Sequence, residues 1–295
     1  MPLGIKPTVD FAFKKISASP KNKQALIGLL NAILNRDSPI VAVTIVDPFS
    51  YQEFAKQKLI GLDIRARDTD GNWFNVEMQV TVNAGLIQRI VYYACRLYAD
   101  QLQAGQDYVD LHPVVTICLL SKNLFGKQGQ RHCHFALSDA ESGRRLDNAV
   151  EVHTLELLKY NVQQGEIHGA SKIEQWVFFL LHAHEYSAEE LRVKLPDEEF
   201  QPAINELEVI SKKTKDRIMY DQREKAQRDY EWALKGAKTE GREEGREEGR
   251  LAGKIQVLQE LLGEQVSTDE ALLNRPMGEL NAVVSQLQNR LRIRD

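Results

Sequence analysis

The sequence is poor in cysteine. Three residues, Cys95, Cys118 and Cys133, are too few and too scattered for a disulfide framework, which fits a reducing compartment. Long apolar runs are missing too: no stretch of roughly 18 uncharged apolar residues occurs, and the first residues form no apolar leader. These absences predict a soluble, cytoplasmic chain without a membrane partner. Positive charge is not in excess either. A net charge of −4 excludes wholesale attraction to polyanions. The average conceals an asymmetry, because residues 1–100 carry 12 Lys/Arg against 9 Asp/Glu. A face for a polyanion is therefore expected in the first third.

What is present is an ordinary globular composition, 43% hydrophobic and 27% charged. Residues 7–16 read as a helix with Thr8 as its N-cap, and residues 24–34 repeat apolar side chains at helical spacing. Residues 41–46 read as a short strand ending at Asp47-Pro48, followed by longer strands over 58–67 and 73–81. The pattern returns to helical over 88–102. Residues 114–120 form a continuous apolar run, as in a strand covered on both faces. Short strands follow around 134–137 and 150–155, and beyond about residue 170 the chain reads as helical. The fold class is α/β: a mixed sheet between helices over residues 1–165, then a helical extension over 166–295.

The hairpin over residues 59–80 holds the informative chemistry. Phe74, Val76, Met78 and Val80 alternate with Trp73, Asn75, Glu77 and Gln79; Ile60, Leu62, Ile64 and Ala66 alternate with Gly61, Asp63, Arg65 and Arg67. A three-residue loop, Thr69-Asp70-Gly71, with Gly71 in the left-handed position, joins the strands. It sets Asp63 opposite Glu77, Arg65 opposite Asn75, and Gly61 opposite Gln79. Two facing carboxylates have Cβ atoms about 5 Å apart and repel when bare. A divalent cation removes that penalty and accepts phosphate as a further ligand. The absence of a side chain at Gly61 leaves room for a phosphate beside Gln79. The other reading is a solvent-facing sheet surface on which Arg65 and Arg67 neutralise the acids.

Asp63 followed by Glu77-Met78-Gln79 resembles the D…(D/E)-x-K signature of the PD-(D/E)xK nuclease superfamily. Together with Asp10-Phe11-Ala12-Phe13-Lys14, Leu62-Asp63-Ile64-Arg65-Ala66-Arg67-Asp68 and the C-terminal Glu-Gly-Arg repeat, the chain is similar to its recombination-promoting nuclease and transposase family. The resemblance implies a DNA endonuclease using Mg²⁺, or Mn²⁺ in its place. Asp63, Glu77 and the Met78 carbonyl would hold the metal, and Asp63, Glu77 and Gln79 would be catalytic. Gln79 replaces the superfamily's lysine; glutamine orients by hydrogen bonds but brings no charge. Gln88 and Tyr92, four apart on one helix face, resemble a Q-x-x-x-Y box that braces the metal site and contacts DNA. Lys14 and Arg89 are expected on the DNA backbone, with Tyr93 and Arg96 as further candidates, Tyr93 having a core role as its alternative. Asp10 is expected in support, a helix-start charge being its alternative.

The remaining features read more plainly. His132-Cys133-His134 lacks a second ligand pair at suitable spacing and reads as a strand edge. His182-Ala183-His184-Glu185 is not a zinc signature, and Trp176, Phe178 and Phe179 read as helix packing. Gly241, Gly245, Gly249 and Gly253 recur every four residues. Two readings stand: a smooth helix face that forms a homo-oligomer or docks a partner, and a flexible charged linker. The functional alternative to a nuclease is a catalytically weak, nuclease-derived module that binds DNA or protein.

Overall fold

A computed structural model of the chain describes residues 1–47, 63–103, 105–126, 128–162, 165 and 167–294. Six strands form one mixed sheet: β1 (Val43–Ile45), β2 (Asp63–Asp68), β3 (Trp73–Gln79), β4 (Val114–Leu120), β5 (His132–Ala136) and β6 (Val150–Glu156), in the order β1-β2-β3-β4-β6-β5. β1, β2 and β3 pair antiparallel, β4 lies parallel to both β3 and β6, and β5 closes the sheet antiparallel to β6. A parallel pair needs a crossover. Between β3 and β4 this is helix α3 (Leu86–Ala99). The start of the expected strand over 58–67, including Ile60, Gly61 and Leu62, lies outside the described residues.

The alternating pattern of β3 and β4 sorts their side chains between two cores. Phe74, Val76 and Met78 join Val115, Ile117 and Leu119 in the large core with α1 (Asp10–Ser17) and α2 (Lys23–Leu34). The same core takes apolar side chains from α4 (Lys172–His182), α5 (Ala188–Lys194) and α6 (Gln201–Lys212). On the opposite face, Cys118 and Leu120 pack with Leu86 and Ile90 of α3. All seven residues of β4 are buried, as expected of a strand covered on both faces. The polar face of β3 is buried as well, on the side of the sheet where α3 packs against β4 and β6. The solvent-facing reading of that face is therefore corrected.

Helix α1 begins at Asp10 with Val9, not Thr8, at the N-cap position. No side chain caps the helix there; instead the Asp10 carboxylate accepts the Phe11 N–H at 2.6 Å within the first turn. An acid at that place also meets the positive end of the helix. Lys15, nearly buried, binds Asp216 at 2.8 Å and Glu206 at 2.9 Å, tying α1 to the helices that follow the sheet.

The chain divides into two compact units, 1–227 and 228–295. Helix α7 (Thr214–Leu262) starts in the first and ends in the second. In the second unit Leu251, Ile255, Leu258 and Leu262 pack with Leu272 of α8 (Asp269–Leu273) and with Leu280, Val284 and Leu287 of α9 (Met277–Arg294). Gly241, Gly245, Gly249 and Gly253 are helical, so the tract is not an irregular linker. A Cβ added at any of the four would meet nothing within 4 Å outside its own stretch of helix. Among the described residues no helix is long and apolar enough to cross a membrane.

Candidate active site

The β2–β3 hairpin has the register its loop chemistry dictates: Asp63 stands opposite Glu77 and Arg65 opposite Asn75. Gly71 has φ +88°, and Asp68 N–H donates to the Asn72 carbonyl at 3.1 Å, closing the three-residue loop. Trp73 N–H bonds to Pro113 O and Ser121 N–H to Gln79 O, so residues 73, 75, 77 and 79 turn their backbone toward β4. The Arg65 carbonyl accepts Val46 N–H, so Arg65 and, by alternation, Asp63 turn theirs toward β1. Asp63 and Glu77 thus form a pair without mutual backbone bonds, the kind in which Cα atoms approach to about 4.5 Å.

Glu77 is 1% exposed and Gln79 5%. A carboxylate removed from water needs partners. Asn75 Nδ2 donates to Glu77 Oε1 at 3.0 Å, and Gln79 Nε2 donates to Glu77 Oε2 at 3.0 Å. Gln79 Oε1 accepts from Arg89 Nη2 at 2.5 Å. The amide orientation follows from its neighbours, since a guanidinium only donates and a carboxylate only accepts. Arg89 lies one turn into α3 and thereby places a positive charge one residue behind Gln79. Two polar atoms at this face, Asn75 Oδ1 and Arg89 Nε, are buried with no hydrogen-bond partner among the described residues.

The structure sets Asp63 opposite Glu77 in the strand ladder and links Glu77, Gln79 and Arg89 by hydrogen bonds, with Met78 between Glu77 and Gln79 on β3. Gly61, expected beside Gln79, lies outside the described residues. Gln88 is exposed on α3, and Tyr92 is 56% exposed with its hydroxyl accepting from Arg96 Nη1 at 3.2 Å. Tyr93 is a surface residue, not core, 39% exposed and edge-on to Tyr92 at 5.5 Å. Asp10 and Lys14 belong to α1, whose apolar side chains enter the large core. Asp10 pairs with Arg223 at 3.6 Å, and Lys14 is 6% exposed. Burial raises the Asp10 carboxyl above 3.8 despite the opposing pull of Arg223, the Phe11 N–H and Lys14. Arg65 pairs with Asp47 at 2.6 Å; Arg67 donates to the Gly71 carbonyl at 3.1 Å and lies over the Trp73 ring.

The described donors on β3 are all oxygens: the Glu77 carboxylate, the Met78 carbonyl and Asn75 Oδ1, which has no hydrogen-bond partner among the described residues. Hard oxygen donors with carboxylate charge suit Mg²⁺ or Mn²⁺. Two features escaped the sequence. Arg89 is a partner of Gln79 because α3 packs on the neighbouring strand β4, from where its guanidinium reaches β3. His132 and His134 do lie on an edge strand, yet pairing with β6 brings Glu151 and His153 beside them, the second ligand pair that spacing alone did not show.

A family model described as a PD-(D/E)XK nuclease family transposase matches residues 7–237. This is the family that the hairpin and N-terminal motifs resemble. No curated protein and no solved structure matches the chain.

Proposed function

The chain belongs to the PD-(D/E)XK nuclease transposase family, and on that footing we propose that it is a divalent-cation-dependent DNA endonuclease centred on Asp63 and Glu77. The observation that carries this reading is the chain of bonds Arg89–Gln79–Glu77 on the strand facing Asp63. Asp63, Glu77 and the Met78 carbonyl hold the cation, Mg²⁺ or Mn²⁺. When bound, such an ion polarises a phosphoryl oxygen and makes water a better nucleophile at neutral pH.

The protein's own groups do the rest. Asn75 and Gln79 fix both oxygens of Glu77, so the carboxylate does not turn away when substrate arrives. Gln79 brings no charge; Arg89, bonded to its far side, restores the positive charge that a lysine at this position would carry. The Arg89 Nε–H, buried and without a hydrogen-bond partner among the described residues, has the capacity for a charge-assisted bond to a phosphate oxygen that displaces its cover. The N-terminus of α3 adds favourable potential for an anion at this end of the sheet. Gln88, Tyr92 and Arg96 present an exposed helix surface for the DNA backbone.

The second reading is a nuclease-derived module that binds DNA or protein without useful cleavage. The glutamine at position 79 and the burial of Lys14 favour it. Incubation of supercoiled plasmid with the purified chain and Mg²⁺, and with EDTA added, separates the two. Nicked or linear plasmid that disappears with EDTA supports the endonuclease; intact plasmid that is nevertheless retarded on a gel supports the binding module.

A further inference from the structure

A second constellation lies on the other face of the sheet, at its β5–β6 edge. His132 and His134 occupy alternate positions of β5, and His153 on β6 stands directly opposite His134. Glu151 lies two residues before His153 and shares its face. In register, Glu151 and His153 neighbour Val115 and Ile117, whose side chains enter the large core, whereas Glu77 neighbours Cys118 on the face under α3. The two sites are on opposite sides of the sheet.

The distances suit one ion. His134 Nε2 lies 3.3 Å and His153 Nε2 3.8 Å from the same oxygen, Glu151 Oε2. One ligand atom from each of the three residues falls within 4.8 Å of the others. Ligands at 2.0–2.1 Å around a tetrahedral ion stand about 3.3–3.4 Å apart. The other Glu151 oxygen is taken by Arg145 Nη1 at 3.2 Å, which leaves Oε2 to the imidazoles.

The hydrogen bonding leaves a gap where the ion would sit. His153 is 4% exposed, and its buried Nε2 has no hydrogen-bond partner among the described residues, Glu151 Oε2 standing 3.8 Å away. Its Nδ1 lies 2.9 Å from His132 Nε2, and one of these nitrogens must supply the proton. If Nδ1 donates, Nε2 turns a lone pair toward a carboxylate oxygen, so two acceptors face each other. A cation between them satisfies both. A ligating histidine characteristically gives its other ring N–H to a neighbour in this way.

We propose that His134, Glu151 and His153 bind one divalent transition-metal ion of the zinc type, with His132 as a hydrogen-bonded support. Two imidazoles and one carboxylate are ligands of that borderline class, and three protein ligands leave a fourth position. The His134 side chain is 33% exposed, so the open position faces solvent. Bound there, the ion would clamp the edge strand β5 onto β6.

The test uses the full-length chain, stripped with chelator and dialysed, and titrated with Co²⁺ under visible absorption and with Zn²⁺ by calorimetry. Wild-type protein should take up one equivalent, with the intense d–d absorption of a four-coordinate site. Glu77→Ala should keep that site. Glu151→Gln and His153→Ala should lose it, and His132→Ala should weaken it about 10–100-fold. Zn²⁺ should raise the melting temperature of the wild type and not of Glu151→Gln. Should His153→Ala fail to fold, His134→Ala, on the partly exposed edge strand, decides in its place. No uptake at micromolar metal by the wild type, or unchanged uptake by Glu151→Gln and His134→Ala, overturns the proposal.

Discussion

Arg89, from the second turn's start of helix α3, donates to the amide oxygen of Gln79 at 2.5 Å while the same amide donates to Glu77 at 3.0 Å. The amide therefore transmits a cation's influence to the face where the superfamily signature has lysine. In a buried site such a charge acts with little screening. Arg89→Met should lower DNA cleavage about 10²-fold, as does removal of one preorganised donor elsewhere. Gln79→Lys in the Arg89→Met background should recover much of that loss, while Gln88→Ala changes the rate only a few-fold. Single-turnover cleavage by the wild type and these three variants measures this; a double variant no faster than Arg89→Met contradicts the electrostatic role of Arg89.

Gly71 fixes the hairpin. Its φ of +88° disfavours any L side chain, and an added Cβ would stand 2.4 Å from the His112 ring. Gly71→Ala should destabilise the chain by about 1–2 kcal/mol from the backbone alone, a fall in melting temperature of roughly 3–6 °C. An unchanged melting temperature would mean the loop re-forms without the left-handed residue.

The Asp10 carboxyl offers a pH test. Burial is the largest influence and raises it above 3.8, against Arg223, the Phe11 N–H and Lys14. The folded chain thus prefers the protonated acid. Stability from this group is full below about 3.8 and is lost as pH rises through the raised value. Asp10→Asn keeps an oxygen for the Phe11 N–H, so at pH 7 it should melt no lower than wild type, with its relative advantage shrinking toward pH 4. A clear loss at pH 7 would show that the Arg223 ion pair outweighs burial.

The open glycines of α7 bear on assembly. Alanine at Gly241, Gly245 and Gly249 should raise helix propensity by about 3 kcal/mol in sum, and nothing within the described chain obstructs a Cβ there. Leucine at the same three places also favours helix but blocks a close second helix. If copies of the chain meet along this face, sedimentation should show leucine dissociating an oligomer that alanine keeps. A wild-type monomer at micromolar concentration, with and without DNA, removes self-association.

The hairpin was legible because its register is local. The loop Thr69–Gly71 and the alternation on either side determine which residues face each other, and Asp63 opposite Glu77 follows. The apolar run of β4 likewise announced a central strand. What the sequence hid depends on packing between distant elements. Alternation showed Asn75, Glu77 and Gln79 on one face but not that this face is buried. Helical spacing drew attention to Gln88 and Tyr92, whereas the side chain that reaches β3 is Arg89 between them. His132 and His134 acquire Glu151 and His153 only through the β5–β6 ladder, which no linear spacing records. Asp10 and Lys14, read as site residues from their motif, lie on a buried helix where Asp10 meets Arg223, a partner about 210 residues away that no local pattern announces.

The most direct measurement is plasmid cleavage by wild type, Asp63→Asn and Glu77→Gln, each confirmed folded by circular dichroism, over a Mg²⁺ titration. Both substitutions keep size and remove one carboxylate charge. The expected result is Mg²⁺-dependent nicking by the wild type and a loss of about 10³-fold or more in each variant, the scale on which single catalytic groups act. Cleavage by Asp63→Asn or Glu77→Gln at the wild-type rate and with the wild-type Mg²⁺ dependence would contradict the assignment of this carboxylate pair.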